Sequence, residues 1–200
     1  MNEDMNAKEF SKPLLFGTSN LGKLSEVRIF AGGLGFSVIG LDAPQITGTG
    51  SVPEVAEVAS TYAGNAVIKA LAYAKYFGRP CLADDTGIEI AMLSDLPGVH
   101  TARWGLSRVI DEVGIFRTVA TRFVCAMAYA EPSGRTVVTH GTLEGELRDM
   151  VLPADGVKPL PFGEFFFPKG SPYPLAYLVG NGYEGSHRFR ALASLVRVLS

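Results

Sequence analysis

Four stretches of this chain carry residue types and spacings suited to a charged substrate. The first is Asp84-Asp85-Thr86-Gly87, set between the apolar runs Cys81-Leu82-Ala83 and Ile88-Glu89-Ile90. Apolar runs on either side of a Thr-Gly step read as a strand entering and a strand leaving a hairpin turn, with both aspartates at the lip of a sheet. Adjacent carboxylates repel each other unless a cation or a proton holds them together. Paired carboxylates at a strand end also hold Mg²⁺ against phosphate oxygens. Turn chemistry alone accounts for the same four residues, so both readings stay open here.

The second stretch, Gly17-Thr18-Ser19-Asn20-Leu21-Gly22-Lys23-Leu24, nearly matches the phosphate loop G-x-x-x-x-G-K-[ST]. Leu24 stands where that motif needs a hydroxyl for Mg²⁺. What remains is a run of amides and a lysine between a strand and a helix N-terminus, which is an anion site. The third is Asn65 and Lys69, four apart on one helix face and read as lying opposite the stripe Ala66, Ala70 and Ala74. Glu54 and Glu57 precede that helix, and either could add a carboxylate. The fourth, Ser186-His187-Arg188, opens the last helix with a cap, a tunable donor and a bidentate fork. Solvated side chains and an ordinary cap are the plain alternatives for these groups. His100 and His140 have no His, Cys or carboxylate partner at metal spacing, and Cys81 and Cys125 sit in apolar runs as buried thiols.

These groups need elements to hold them. Lys12–Thr18 reads as a strand and Leu21–Ala31 as a helix stopped by Gly32-Gly33. Phe36–Ile39 is a short strand, and Thr61 caps a helix running to Phe77. Phe123–Ala130 and Thr136–Leu147 flank Glu131-Pro132-Ser133-Gly134 as an antiparallel pair, and Arg188–Leu199 is a closing helix. Residues 1–11 are polar and expected to be disordered; residues 12–200 are expected to form a single two-lobed domain. The order of elements predicts an α/β fold on a mixed sheet.

At 200 residues the chain can bury roughly 70% of its unfolded surface. A hydrophobic content of 47%, a charged content of 19% and a net charge of −2 describe an ordinary globular chain. With no basic block, nucleic acid is not an expected partner. With no apolar run of spanning length and an acidic N-terminus, neither a membrane nor a secretory signal is expected, and the cytoplasm is the default location.

The ordered set of motifs resembles the inosine triphosphate pyrophosphatase family of house-cleaning nucleoside triphosphatases. Thr18–Glu26 is similar to its T-x-N-x-x-K-x-x-E signature, and Thr61–Ala70 to its T-F-x-x-N-A-x-x-K-A helix. Leu82–Glu89 with Pro97–Trp104 is similar to its A-D-D-[ST]-G … P-G-x-x-[ST]-A-R block. Arg122–Cys125, Gly141–Gly145 and Ser186-His187-Arg188 continue the match over about residues 12–199. The resemblance implies an elongated central mixed sheet flanked by helices, with a nucleotide cleft between two lobes. It implies Mg²⁺-dependent cleavage of ITP, dITP or XTP to the monophosphate and pyrophosphate, and a homodimer. Carried over by motif, Thr18, Asn20, Lys23, Asn65 and Lys69 bind the phosphate side. Glu57, Asp84 and Asp85 hold the metal, with Asp85 also activating water. Ser186, His187 and Arg188 face the base.

Three features depart from the family pattern, one of them a stretch between Arg103 and Arg122 that is shorter than typical and trims a helix. The G-F-G-Y-D-P loop that helps enclose the base is absent; Pro161-Phe162-Gly163-Glu164-Phe165 stands there, with Phe162 as the candidate stacking ring. The lysine usual before Ser-His-Arg is replaced by Asn181–Gly185. Altered nucleotide preference, a degenerate P-loop hydrolase and a non-catalytic nucleotide sensor are therefore the competing readings.

Overall fold

The structure, a computed structural model, describes residues 12–44, 46, 52–114, 117–149 and 162–200. The N-terminal segment 1–11 and the stretch ending at Pro161 lie outside the described residues.

The sheet is built around a ten-residue strand, β3 (Cys81–Ile90), buried along almost its whole length. Parallel pairing joins it to β1 (Leu14–Phe16), which in turn pairs in parallel with β2 (Val38–Ile39). Its other edge pairs antiparallel with β5 (Val119–Ala130) along the full strand, and β4 (Leu96–Pro97) pairs antiparallel with Glu89 and Ile90 on the edge that β1 leaves open. The long hairpin of β5 and β6 (Thr136–Leu147) follows, and β7 (Phe166–Pro168) closes the edge. The result is a mixed seven-stranded sheet in the order β2-β1-β3-β5-β6-β7, with β4 off the path. Helices flank it, as expected for the α/β class.

The Asp-Asp-Thr-Gly segment corrects the sequence reading. It is neither a turn nor a strand end but the middle of β3, paired residue for residue with β5 from Met127 to Val124. Strands buried on both faces read as near-continuous apolar runs, so three polar residues and a glycine looked like a break. Each of the three polar side chains finds a partner inside the fold instead, as the site shows.

Side-chain alternation along β3 sorts the packing. Leu82, Ile88 and Ile90 face a core shared with α1 (Leu21–Gly33), α3 (Thr101–Val113), α4 (Leu175–Gly180) and α5 (His187–Leu199). Cys81 and Ala83 face the other way, against α2 (Tyr62–Phe77). There the helix stripe Ala66, Ala70 and Ala74 meets Ala126, Ala128 and Ala130 of β5. Small residues on both sides let the helix lie close to the sheet. The helix starts follow local chemistry. Asn20 caps α1 by accepting from the Lys23 amide at 3.1 Å, and Thr61 caps α2 by accepting from Gly64 at 3.1 Å. Such caps contribute about 1 kcal/mol each. Gly78, at φ 62°, ends α2 in the left-handed conformation that glycine adopts without strain.

Candidate active site

A cleft of about 920 Å³ opens where α1, α2, β3 and α5 meet. Thr18, Asn20, Lys23, Glu57, Lys69, Asp85, Phe162, His187 and Arg188 line it; Asn65, Asp84 and Ser186 are buried behind its wall. The structure thus gathers the predicted residues around one cavity.

Strand alternation splits the carboxylate pair. Asp84 points toward α1 and α5, where Lys23 Nζ lies 3.2 Å away, the Thr86 hydroxyl donates at 2.8 Å and Arg188 Nε donates at 3.2 Å. Burial alone would raise the Asp84 pKa; Lys23, Arg188, Lys69 and the Thr86 hydroxyl instead hold it far below the usual carboxylate range. Asp85 points toward α2 and accepts from Asn65 Nδ2 and from the Thr86 amide, both at 2.9 Å. Desolvation dominates there and raises its pKa, against the lowering by Asn65 and Lys69. The two carboxylates thus occupy opposite electrostatic settings on opposite faces. A charged Asp84 is locked into the protein, while Asp85 opens on the cleft as the better proton acceptor.

Asn65 and Lys69 are buried and sit beside the alanine stripe rather than opposite it. Position 65 is one residue, about 100° of helix, from Ala66, so the same rotation that packs the alanines brings both polar groups to the sheet. Asn65 Oδ1 also accepts from the Ala59 amide at 2.9 Å, which ties the preceding loop to the helix. Lys69 Nζ donates to Glu57 at 2.9 Å. Burial works against the charged lysine, but Asp84, Glu57 and Asp85 together raise its pKa above the ordinary value. Glu54 also lines the cleft; the contact to Lys69 is made by Glu57.

The Ser186-His187-Arg188 triplet divides its labour. Ser186 is the N-cap of α5 and accepts from Phe189 at 3.0 Å. Arg188, expected to face the base, is 1% exposed and its fork is occupied by Asp84, Glu26 and Thr86. His187 stacks on Phe123 with ring centroids 4.5 Å apart and planes 14° apart, and neither ring nitrogen has a protein partner. Burial and the Arg188 charge push its pKa well below 6.5, so the ring is neutral, with one buried donor and one buried acceptor in a residue that forms part of the cleft wall. Phe162, the expected stacking ring, is 2% exposed and packs in the core while forming part of the cleft wall. Burial pushes the Cys125 thiol up to about 12, which rules it out as a nucleophile at neutral pH.

Sequence reasoning assigned no role to Glu26 or Phe123. Glu26 lies one helical turn from Lys23 on α1, a spacing that carries the signal. The partnership of Phe123 with His187 depends on how α5 docks on the sheet and has no local signature. As for a metal, no group of three or more His, Cys, Asp or Glu converges among the described residues. Of the three expected ligands, Glu57 and Asp85 line the cleft on either side of Lys69, which bonds Glu57, whereas Asp84 is buried against Lys23 and Arg188. Among the residues that line the cleft, Glu26, Asp42, Glu54, Glu57 and Asp85 outnumber Lys23, Lys69 and Arg188, so the acidic side chains are in surplus there. Two hard oxygen donors in a net-negative site fit Mg²⁺, which takes one or two carboxylates plus substrate phosphates.

Comparison with known proteins agrees with the motifs. A family model described as the Ham1 family matches residues 14–198. The dITP/XTP pyrophosphatase of Streptomyces coelicolor is 34% identical over 204 residues, spanning 93% of this chain and 98% of the relative. That of Symbiobacterium thermophilum is 38% identical over 148 residues, 69% of this chain and 71% of the relative. A solved HAM1 protein from Coxiella burnetii has a TM-score of 0.70 at 27% identity, covering 94% of this chain and 98% of its own. The Staphylococcus aureus Ham1 protein has a TM-score of 0.68 at 25% identity, with coverage of 94% and 98%.

Proposed function

The chain belongs to the Ham1 family, and we propose on that premise that it hydrolyses the triphosphates of deaminated purine nucleosides. ITP, dITP and XTP would yield the monophosphate and pyrophosphate, cleansing the nucleotide pool. The names of the relatives support the substrate class. The observation that carries the reading is a single cleft lined both by Lys23, Lys69, Glu57 and Asp85 and by Phe123, Phe162, Leu175 and Val179. Charged groups suit a phosphate chain, and apolar walls suit a purine.

In this reading Lys23 and Lys69 exchange their carboxylate partners for phosphate oxygens, helped by Thr18, Asn20 and the amides at the start of α1. Glu57 and Asp85 would hold Mg²⁺, which would supply positive charge at the phosphate oxygens. Asp85 takes a proton from the attacking water as its oxygen bonds to the α-phosphorus and the bond to the bridging oxygen breaks. Pyrophosphate leaves. Asn65 keeps Asp85 oriented, and Asp84 serves as the counter-charge that fixes Lys23 and Arg188. His187 meets the base edge, where its ring donor suits a 6-oxo group. Arg188 acts from behind it, and Ser186 starts the helix that carries both. A cytoplasmic homodimer belongs to the same reading; sedimentation at twice the chain mass tests the dimer.

Phosphorus NMR of ITP turnover in ¹⁸O-labelled water tests the chemistry. The expected products are IMP carrying the label and unlabelled pyrophosphate. Orthophosphate with IDP, or label in pyrophosphate, would overturn the assignment.

A further inference from the structure

We infer that Gly141 is a positioning residue for base recognition: β6 gives up a side chain there so that the first turn of α5 can rest directly on the sheet. A Cβ built on Gly141 would come within 2.6 Å of the Ala191 amide nitrogen and 3.0 Å of the Arg190 Cβ, and closer still to the His187 carbonyl oxygen. Two of these are helix backbone atoms, which cannot swing aside as a side-chain tip can. Any larger residue therefore lifts the helix start from the sheet. The contact is a built seat with bonds on both flanks. The Thr139 hydroxyl donates to the Ala191 carbonyl at 2.7 Å, and Arg190 Nη1 donates to the Thr142 carbonyl at 2.7 Å. Thr139 and Gly141 share one face of β6, two residues apart.

What the seat holds is the first two residues of α5. His187 stacks on Phe123 of β5 and lines the cleft, and Arg188 reaches Asp84 and Glu26. Lys23, Asn65, Lys69 and Asp85 belong to α1, α2 and β3, whereas the three atoms nearest a Gly141 Cβ all belong to α5. Lifting α5 thus displaces the base side of the cleft more than its phosphate side. Displacement of a recognition group by about 1 Å is enough to cost on the order of 10²-fold in rate. The inference rests on the proposed function for its kinetic readout.

The test compares kcat/KM for ITP and ATP in Gly141→Ala, Thr139→Val and Val109→Ala, the last a core truncation in α3 away from the seat. Gly141→Ala is expected to reduce the ITP-to-ATP ratio at least tenfold, and Thr139→Val to reduce it in the same direction by less. Val109→Ala should lower both rates in proportion. An unchanged ratio in Gly141→Ala overturns the inference, because a merely structural glycine scales both substrates alike. If Gly141→Ala does not fold, Thr139→Val decides by the same criterion. A second readout needs no turnover: the His187 ring protons, assigned with His187→Gln, are shifted upfield by Phe123 and should lose that shift in Gly141→Ala. Wild type that does not distinguish ITP from ATP removes the proposed base reading, and the ring shift then decides the seat alone. Unmoved His187 resonances overturn it.

Discussion

At the scale of single residues, the site is a set of carboxylates given different work by what surrounds each. Asp84 is enclosed by Lys23, Arg188 and Thr86, whereas Asp85 is desolvated with only amide donors on it. Asp85→Asn should keep the fold and lower kcat at least about 10²-fold, the usual worth of a positioned proton acceptor; unchanged turnover removes Asp85 from the mechanism. Arg188→Ala leaves Asp84 and Glu26 buried without their shared cation. Urea unfolding should show a loss of about 3 kcal/mol, as for a broken buried ion pair. A loss of selectivity at unaltered stability would instead give the guanidinium a direct role at the base.

Helices α2 and α5 are the elements that place this chemistry, and each begins at a hydroxyl cap. Thr61→Ala should destabilise the protein by about 1 kcal/mol and raise KM for the nucleotide through the loosened Asn65 and Lys69. A stability loss with KM unaltered would separate the cap from the site. The buried start of α5 also carries an acid sensitivity. His187 is held below its ordinary value of 6.5 by burial, by Arg188 and by Lys23 and Arg190, with only Asp84 opposing. Its folded pKa is thus depressed, so the unfolded chain binds the extra proton first. The stability it contributes is complete above pH 6.5 and declines as pH falls toward the folded value. The melting temperature of His187→Phe should therefore gain on wild type as pH drops below 6.5; parallel pH curves would contradict a neutral buried ring.

At the scale of the whole molecule, the sequence and the fold agree most where the signal is local. The Thr61 cap, the end of α2 at Phe77 and the long β5–β6 hairpin were all legible from residue types alone. Asp84-Asp85-Thr86-Gly87 was legible as a site and misread as a turn. Its polar side chains are satisfied by the preceding helix α2 and by α1 and α5, which lie far away in sequence. Phe162 shows the same limit, since it belongs to both the cleft wall and the core and nothing local distinguishes a ring on a base from a ring in a core. The packing of α5 on Gly141 and the stacking of His187 on Phe123 are likewise tertiary facts. Because the sheet brings α1, α2 and α5 to one cleft, the central claim is that these elements form one working nucleotide site. Pyrophosphate release from ITP, dITP, XTP, GTP, ATP and dTTP, each with Mg²⁺ and with EDTA, tests it most directly. The account predicts Mg²⁺-dependent release from ITP, dITP and XTP, with ATP, which carries a 6-amino group, and the pyrimidine dTTP left intact and EDTA abolishing the reaction. GTP shares the 6-oxo group and reports on the 2-position. Nucleotide binding without release under any condition would contradict it and leave a binding protein in its place.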